Sequence, residues 1–203
     1  MRQLIIFILL MFLTVSHAAA NEPAEVSKLI QERINAVVSL LQDKTLDKPS
    51  RNEKILEIVT PIFNYQTMSK LSLGKKHWPG LSPEKQVEFS ELFSERLQAS
   101  YLEKLDIYTD EKVLYGEPEE NGKQIFMPTM LISKDNKIEI LYNLYKAEGD
   151  WKIYDVEVGG VSIIQTYRSQ FDDALSNGTI DELLEKLKDN ESFDLPAPEK
   201  AKG

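Results

Sequence analysis

Residues 151–171 read WKIYDVEVGGVSIIQTYRSQF. The stretch starts as a strand, turns sharply and leaves as a helix. Tyr154, Val156 and Val158 alternate onto one face, and Lys152 sits ahead of them at the wet end. Gly159 and Gly160 end the strand, because a tight reversal needs backbone angles that glycine reaches without strain. Ser162 reads as an N-cap, with Gln165 three residues on to complete a capping box. Ile164, Tyr167, Phe171 and Leu175 then recur at helical spacing. Strand and helix therefore meet at a wide angle, each with an apolar face. Two such faces enclose either a packed core or a pocket, and that choice decides the function.

Downstream, Gly178 closes the helix, and Thr179 with Glu182 caps a last one carrying Leu183, Leu184 and Leu187. Residues 190–203 are polar with two prolines, Pro196 and Pro198, and are expected to form a disordered tail. Upstream, four strands are expected: Lys112–Tyr115, Gln124–Ser133, 137–146 and Asp150–Val158. The turn signals Asn121-Gly122, Asp135-Asn136 and Glu148-Gly149 lie between them, and such short connections make neighbours antiparallel. Alternation puts Ile125, Met127, Thr129 and Leu131 on one face of the second strand, and Ile138, Ile140, Tyr142 and Leu144 on one face of the third. Pro128 implies an edge or a bulge, hence a strongly bent sheet.

Four helices precede the strands. The first, over 25–42, carries Val26, Leu29, Ile30, Ile34, Val37, Val38 and Leu41 at three- and four-residue intervals. Ser50, with Glu53 as its capping-box partner, opens a second with the stripe Ile55, Val59 and Ile62, which Pro61 kinks or ends. A short third runs from about 65 to 73, with Met68 and Leu71 inward and Gly74 as its C-cap. Ser82-Pro83 starts the longest, to about 105, with Phe89, Leu92, Phe93, Leu97, Tyr101 and Leu105 on one stripe. Helices, then a sheet meander, then helices make an α+β architecture: a curved, mainly antiparallel four-stranded sheet wrapped by helices.

Residues 1–20 look like a cleaved secretory signal, with Arg2 as the basic region, a short apolar run over 4–15 and a small-residue site at Ala18-Ala19-Ala20. The domain is then 21–189. A formal net charge of -9 argues against nucleic acid and against residence on an anionic membrane surface. With no cysteine, the chain has no disulfide, thiolate nucleophile or acylated lipoprotein Cys, and export without cysteines suits a bacterial periplasm.

No catalytic constellation stands out: no GxSxG, HExxH, phosphate-binding Gly loop or acidic metal cluster. His77 has no orienting partner nearby in sequence and reads as a surface or satisfied residue. Asp155 and Arg168 read as a structural ion pair joining strand to helix. Asp172-Asp173 and Glu119-Glu120 read as solvated charges.

The segment FNYQTMSKLSLGKKHWPGLSPEKQVEFSELFSERLQASYLEKL, residues 63–105, followed by 151–171, resembles the MlaC, or toluene-tolerance, family. The second segment is the more specific, through Trp151, Tyr154-Asp155, Gly160-Val161-Ser162, Tyr167-Arg168 and Phe171. In the first, Met68, Leu73-Gly74, Trp78, Ser82-Pro83-Glu84, Phe89, Phe93 and Tyr101 match. Gly159 departs from a position that is often acidic in the family, and Ser72 interrupts an aliphatic patch. The resemblance covers about 26–187. It implies a nuclear-transport-factor-2-like arrangement that encloses the acyl chains of a phospholipid and leaves the headgroup near solvent. It further implies a periplasmic shuttle between an outer-membrane lipoprotein complex and an inner-membrane ABC transporter with an MCE subunit.

A lipid carrier is thus the leading reading. A pocket enzyme of the isomerase or dehydratase kind and a closed scaffold without ligand are the alternatives. Polarity separates carrier from enzyme, since an enzyme pocket needs a poised acid or base among convergent polar groups. The inward sets expected to hold lipid are Phe93, Leu97 and Tyr101 on the long helix, and Ile125, Met127, Leu131, Ile140, Tyr142, Leu144, Tyr154, Val156 and Val158 on the strands. Val161, Ile164, Tyr167 and Phe171 complete them. The expectation is no metal, no cofactor and no catalytic residue, with phospholipid as cargo.

Overall fold

The computed structural model describes residues 21–105, 112–133, 136–189 and 193. The expected signal at 1–20, Asp135 of the expected turn, and most of the expected tail lie outside the described residues. Helix α1 spans Glu22–Gln42, with Asn21 as N-cap and a proline in its first turn. Helix α2 spans Lys48–Val59. Its cap is Asp47, whose Oδ1 accepts the Ser50 N–H at 2.8 Å, so Ser50 lies inside the first turn and does not open the helix. The physical reason is Pro49, which has no N–H to satisfy and sits readily in a first turn, so the helix starts earlier. One turn of 3-10 helix, Thr60–Ile62, follows at Pro61.

Helix α3, Tyr65–His77, is broken at Gly74, where φ is 74° and ψ 173°. A side chain there would be strained by the backbone alone. The chain resumes for one more turn before Trp78–Gly80 and the long helix α4, Pro83–Leu105, where the Ser82 hydroxyl accepts the Lys85 N–H.

The sheet has six strands among the described residues, not four: β1 Lys112–Tyr115, β2 Glu119–Asn121, β3 Gln124–Ser133, β4 Asn136–Ala147, β5 Asp150–Val158 and β6 Val161–Ser162. The order is β1-β3-β4-β5-β6, with β2 also on β3, and every pairing is antiparallel. The turn at Asn121-Gly122 is real, but it joins β2 to β3, and β1 pairs farther along the same side of β3. Pro128 lies inside β3, opposite Leu141 of β4, rather than on an edge strand. Its missing N–H falls in the gap between β1 and β2, where its carbonyl accepts the Gly116 N–H at 2.9 Å. A Cβ on Gly116 would stand 2.9 Å from the Pro128 ring, so the close approach requires glycine.

The second addition, β6, comes from Gly159-Gly160. With φ at 59° and 78°, they make a two-residue hairpin turn that pairs Val158 with Val161 before helix α5, Ile163–Ser176, begins. Helix α6, Ile180–Lys188, starts on the expected Thr179–Glu182 capping box. The core joins α3, α4, α5 and α6 through Phe89, Phe93, Tyr167 and Phe171, whose rings pack edge-on or stacked at 5.1–6.3 Å with Trp78. Phe193 is part of it: it meets Phe171 edge-on at 5.3 Å, and its carbonyl accepts Arg96 Nη2 at 2.8 Å. Packing therefore extends past the expected boundary at 189, because an apolar ring in a polar tail gains most by joining the aromatic cluster.

Candidate functional site

Cross-strand register builds one apolar face. Val113 lies opposite Leu131, Leu131 opposite Ile138, Thr129 opposite Ile140, Tyr142 opposite Val156 and Ile140 opposite Val158. The same face continues through Met127, Ile125, Leu144 and Ile153. Its two ends have different fates. Met127, Ile125 and Leu144 are fully buried in the packed core. At the other end the face stands off from α1, α2 and α4 and leaves a cavity of about 310 Å³. An apolar cavity of roughly half that size takes up benzene.

The helices complete the walls. Ile30, Ile34, Val37, Val38 and Leu41 come from α1, Ile55, Leu56 and Val59 from α2, and Leu97, Tyr101, Leu102 and Leu105 from α4. Of the residues expected to hold lipid, Leu97, Tyr101, Leu131, Ile140, Tyr142, Val156 and Val158 line this cavity. Phe93, Ile125, Met127, Leu144, Ile164, Tyr167 and Phe171 do not; they are buried in the closed core beside it. The reason is coverage: α3, α5 and α6 pack over that part, and the gap lies under α1, α2 and the end of α4, with Tyr65 and Met68 of α3 and Ile163 of α5 at its border. Val161 lies 48% exposed on the hairpin, away from the lining.

Tyr154 also lies elsewhere, for a different reason. The β4–β5 register shifts between Asn143 and Leu144, so Asn143 opposes Asp155 and Leu144 opposes Ile153, with Tyr154 extra. This bulge resets the alternation. Ile153 takes the inward face together with Val156, and Tyr154 packs edge-on against Tyr145 at 5.6 Å. Strict period-two reading cannot see an inserted residue.

The α1 and α2 walls were legible as apolar stripes but carry no mark of what they face. The available signal is the width of the α1 stripe, whose Val37, Val38 and Leu41 remain only half-buried. The lining also includes Arg33 of α1 and Lys104 of α4, and among the described residues it has no carboxylate or histidine.

Besides these two cations and the carboxamides of Gln42 and Gln98, the polar groups of the described lining are phenols and one hydroxyl. Thr129 Oγ1 donates to the Ile140 carbonyl at 3.3 Å. Burial pushes the Tyr142 phenol up to about 12, against a smaller opposing effect of the Thr129 hydroxyl. Burial, with the nearby Tyr167, Asp155 and Tyr142, holds Tyr101 well above the usual phenol range. These hydroxyls stay neutral and do not act as bases near neutral pH. The Tyr101 hydroxyl has no hydrogen-bond partner among the described residues.

Asp155 and Arg168, expected as an ion pair, serve separate purposes. Asp155 Oδ1 accepts the N–H groups of Val156 at 2.8 Å and Ile164 at 3.2 Å, and Oδ2 accepts the Ser162 hydroxyl at 2.6 Å. Ser162 Oγ in turn accepts the Gln165 N–H at 3.0 Å. The carboxylate thus joins the strand to the helix start by itself, and Arg168 reaches the Leu71 carbonyl instead. His77 has the partner that its sequence neighbours did not offer: its Nε2 lies 2.8 Å from Asp172 Oδ1, tying α3 to α5 outside the cavity lining.

Three comparisons bear on this arrangement. The chain is 23% identical over 194 residues to the intermembrane phospholipid transport system binding protein MlaC of Haemophilus influenzae, covering 92% of this chain and 90% of that protein. It is 25% identical over 120 residues to the toluene tolerance protein ttg2D of Pseudomonas putida, covering 58% and 56%. Its fold is similar to that of a phospholipid-binding protein from Ralstonia solanacearum solved in complex with a phospholipid, with TM-score 0.71 and 17% identity, covering 81% of this chain and 95% of that one. The MlaC protein family model matches residues 31–189, and with that span matched the chain belongs to the MlaC family.

Proposed function

We propose that this chain is a phospholipid carrier of the periplasm, exported by the signal at 1–20. It holds acyl chains in the cavity between the sheet and α1, α2 and α4, with the headgroup toward solvent. It shuttles between an outer-membrane lipoprotein complex and an inner-membrane ABC transporter with an MCE subunit, and so supports outer-membrane lipid asymmetry. The sheet and helices on this reading form a nuclear-transport-factor-2-like cone.

The observation that carries the proposal is the apolar lining, which offers a long hydrocarbon continuous contact and, among the described residues, offers a reacting substrate no carboxylate or histidine. The names of the relatives and the phospholipid held by the similar structure support it. On this reading the protein is not an enzyme and needs no cofactor; phospholipid is cargo. Organic extraction of the purified protein followed by mass spectrometry is the test. Stoichiometric diacyl phospholipid is expected, and protein that neither carries nor takes up lipid from vesicles would end the proposal.

A further inference from the structure

Strand β3 is apolar on both faces. Thr129 and Leu131 line the cavity, so Pro128, Met130 and Ile132 stand on the opposite face of the sheet, with Phe126 in the same row. Leu114 of β1 lies opposite Met130, and Leu141 of β4 lies opposite Pro128. None of these six belongs to the packed core or lines the cavity, which the helices build on the other face. A sheet face that only meets water carries polar residues at its outward positions, and here the outward row of β3 from 126 to 132 has none. Leu114 is 44% exposed. A contiguous apolar patch of this kind marks an interaction surface.

The patch is self-complementary. β1 and β2 pair with the same side of β3, which puts Lys112 opposite Ile132 and Glu119 opposite Phe126, equally far to either side of Thr129. Both charged residues are exposed. Consider two such faces stacked about a two-fold axis that lies between them at the level of Thr129 and runs across the strands. Phe126 then meets Ile132 of the second copy, Pro128 meets Met130, and Lys112 meets Glu119. Leu114, level with Met130, falls over Gly116 of the second copy, which is level with Pro128 because its N–H bonds the Pro128 carbonyl. An exposed side chain meets a position that has none, and an ammonium meets a carboxylate, each twice by symmetry.

We propose that this outer face of the sheet is a self-association surface, through which two copies of the chain stack about that axis as a face-to-face dimer. The cavities lie on the far sides of the two sheets, so the dimer leaves both uncovered. The inference holds whatever the cavity carries.

Sedimentation velocity on the purified chain, from micromolar to submillimolar concentration, is the test. Salt near physiological strength screens the long-range repulsion between two chains of formal net charge -9. A concentration-dependent rise from monomer to dimer mass is expected. Leu114→Lys, at an exposed position that leaves the fold intact by circular dichroism, should raise the dissociation constant about tenfold or more. Lys112→Glu and Glu119→Lys should each weaken the dimer about threefold or more, and the double reversal, which restores opposite charges across the axis, should recover it. A wild-type chain that stays monomeric throughout overturns the proposal. If Leu114→Lys then weakens binding of that monomer to phosphatidylglycerol vesicles, the face serves a membrane instead. A dimer that Leu114→Lys leaves unchanged has its contact elsewhere and overturns the proposal as well. A dimer that the double reversal fails to recover overturns the two-fold arrangement.

Discussion

Arg168 Nε donates to the carbonyl oxygen of Leu71 at 2.9 Å, and Nη2 donates to the same oxygen. The helix break at Gly74 removes intrahelical partners from the carbonyls before it, and the guanidinium from α5 supplies one. Arg168→Met is expected to cost about 1.5–3 kcal/mol, the range for a hydrogen bond to a charged group. Urea denaturation measures it. Because Arg168 and Asp155 share no partner, a double-mutant cycle with Asp155→Asn should show coupling within about 0.5 kcal/mol. Strong coupling would restore the ion pair that the sequence suggested.

Val156 and Leu144 share one face but not one fate. Val156→Asp places a carboxylate on the cavity wall, so the protein should fold and lose its lipid. Leu144→Asp buries one in the closed core, where no partner or space exists, and should prevent folding. Thermal melts and lipid extraction separate the two outcomes. Lipid at wild-type level in a folded Val156→Asp variant would remove the cavity as the lipid site.

The bulge makes Ile153 and Tyr154 a second discriminating pair. Tyr154→Ala, on the far side of the sheet, should leave the lipid content unchanged. Ile153→Ala empties a buried position at the cavity wall and should cost about 2–5 kcal/mol. The opposite ranking in a denaturation series would mean that period-two alternation holds through the strand.

Burial raises the Asp155 carboxyl above its usual value, although hydrogen bonds from Ser162, Ile164 and Val156 oppose the shift. A carboxyl whose pKa is higher folded than unfolded binds its proton more tightly in the folded state. Its ionisation therefore lowers stability as pH rises from the unfolded value of 3.8 to the folded one, and the loss is complete above both. Asp155→Asn removes this dependence. Its stability relative to wild type should become more favourable as pH rises through that window and then level off. Guanidine melts between pH 3 and 7 check the sign, and a difference moving the other way would mean that the hydrogen bonds outweigh burial.

Transfer of lipid to membranes should require partners. A buried methylene is worth about 0.8 kcal/mol, so one chain of roughly fifteen amounts to on the order of 12 kcal/mol against water, the free energy of a nanomolar complex. Escape into free solution is then slow, while a bilayer offers nearly the same apolar surroundings and gives no direction. The acidic chain is repelled by anionic bilayers. Labelled phospholipid should therefore pass slowly from loaded protein to bare anionic liposomes and quickly once the membrane complexes are present. Rapid transfer to bare liposomes would make the protein a simple diffusive exchanger.

The sequence by itself determined the elements and the apolar faces. Hydrophobic period, caps at Ser82, Ser162 and Thr179, and glycine at 74, 159 and 160 are local effects, readable within a few residues. They placed the described α-helices, the four long-range ladder strands and most of the face running from Ile125 to Val158, but put Tyr154 where Ile153 stands. Only the tertiary structure decided where that face is packed and where it is open. Met127 and Tyr142 are cross-strand partners on one face, yet Met127 is fully buried and does not line the cavity that Tyr142 borders. That difference depends on which helix covers each, through contacts far apart in sequence. The bulge at Tyr154, the choice of Leu71 over Asp155 by Arg168, and the docking of Phe193 are of the same kind. Each is settled by competition among distant groups for one position, and local pattern carries no record of the competitors.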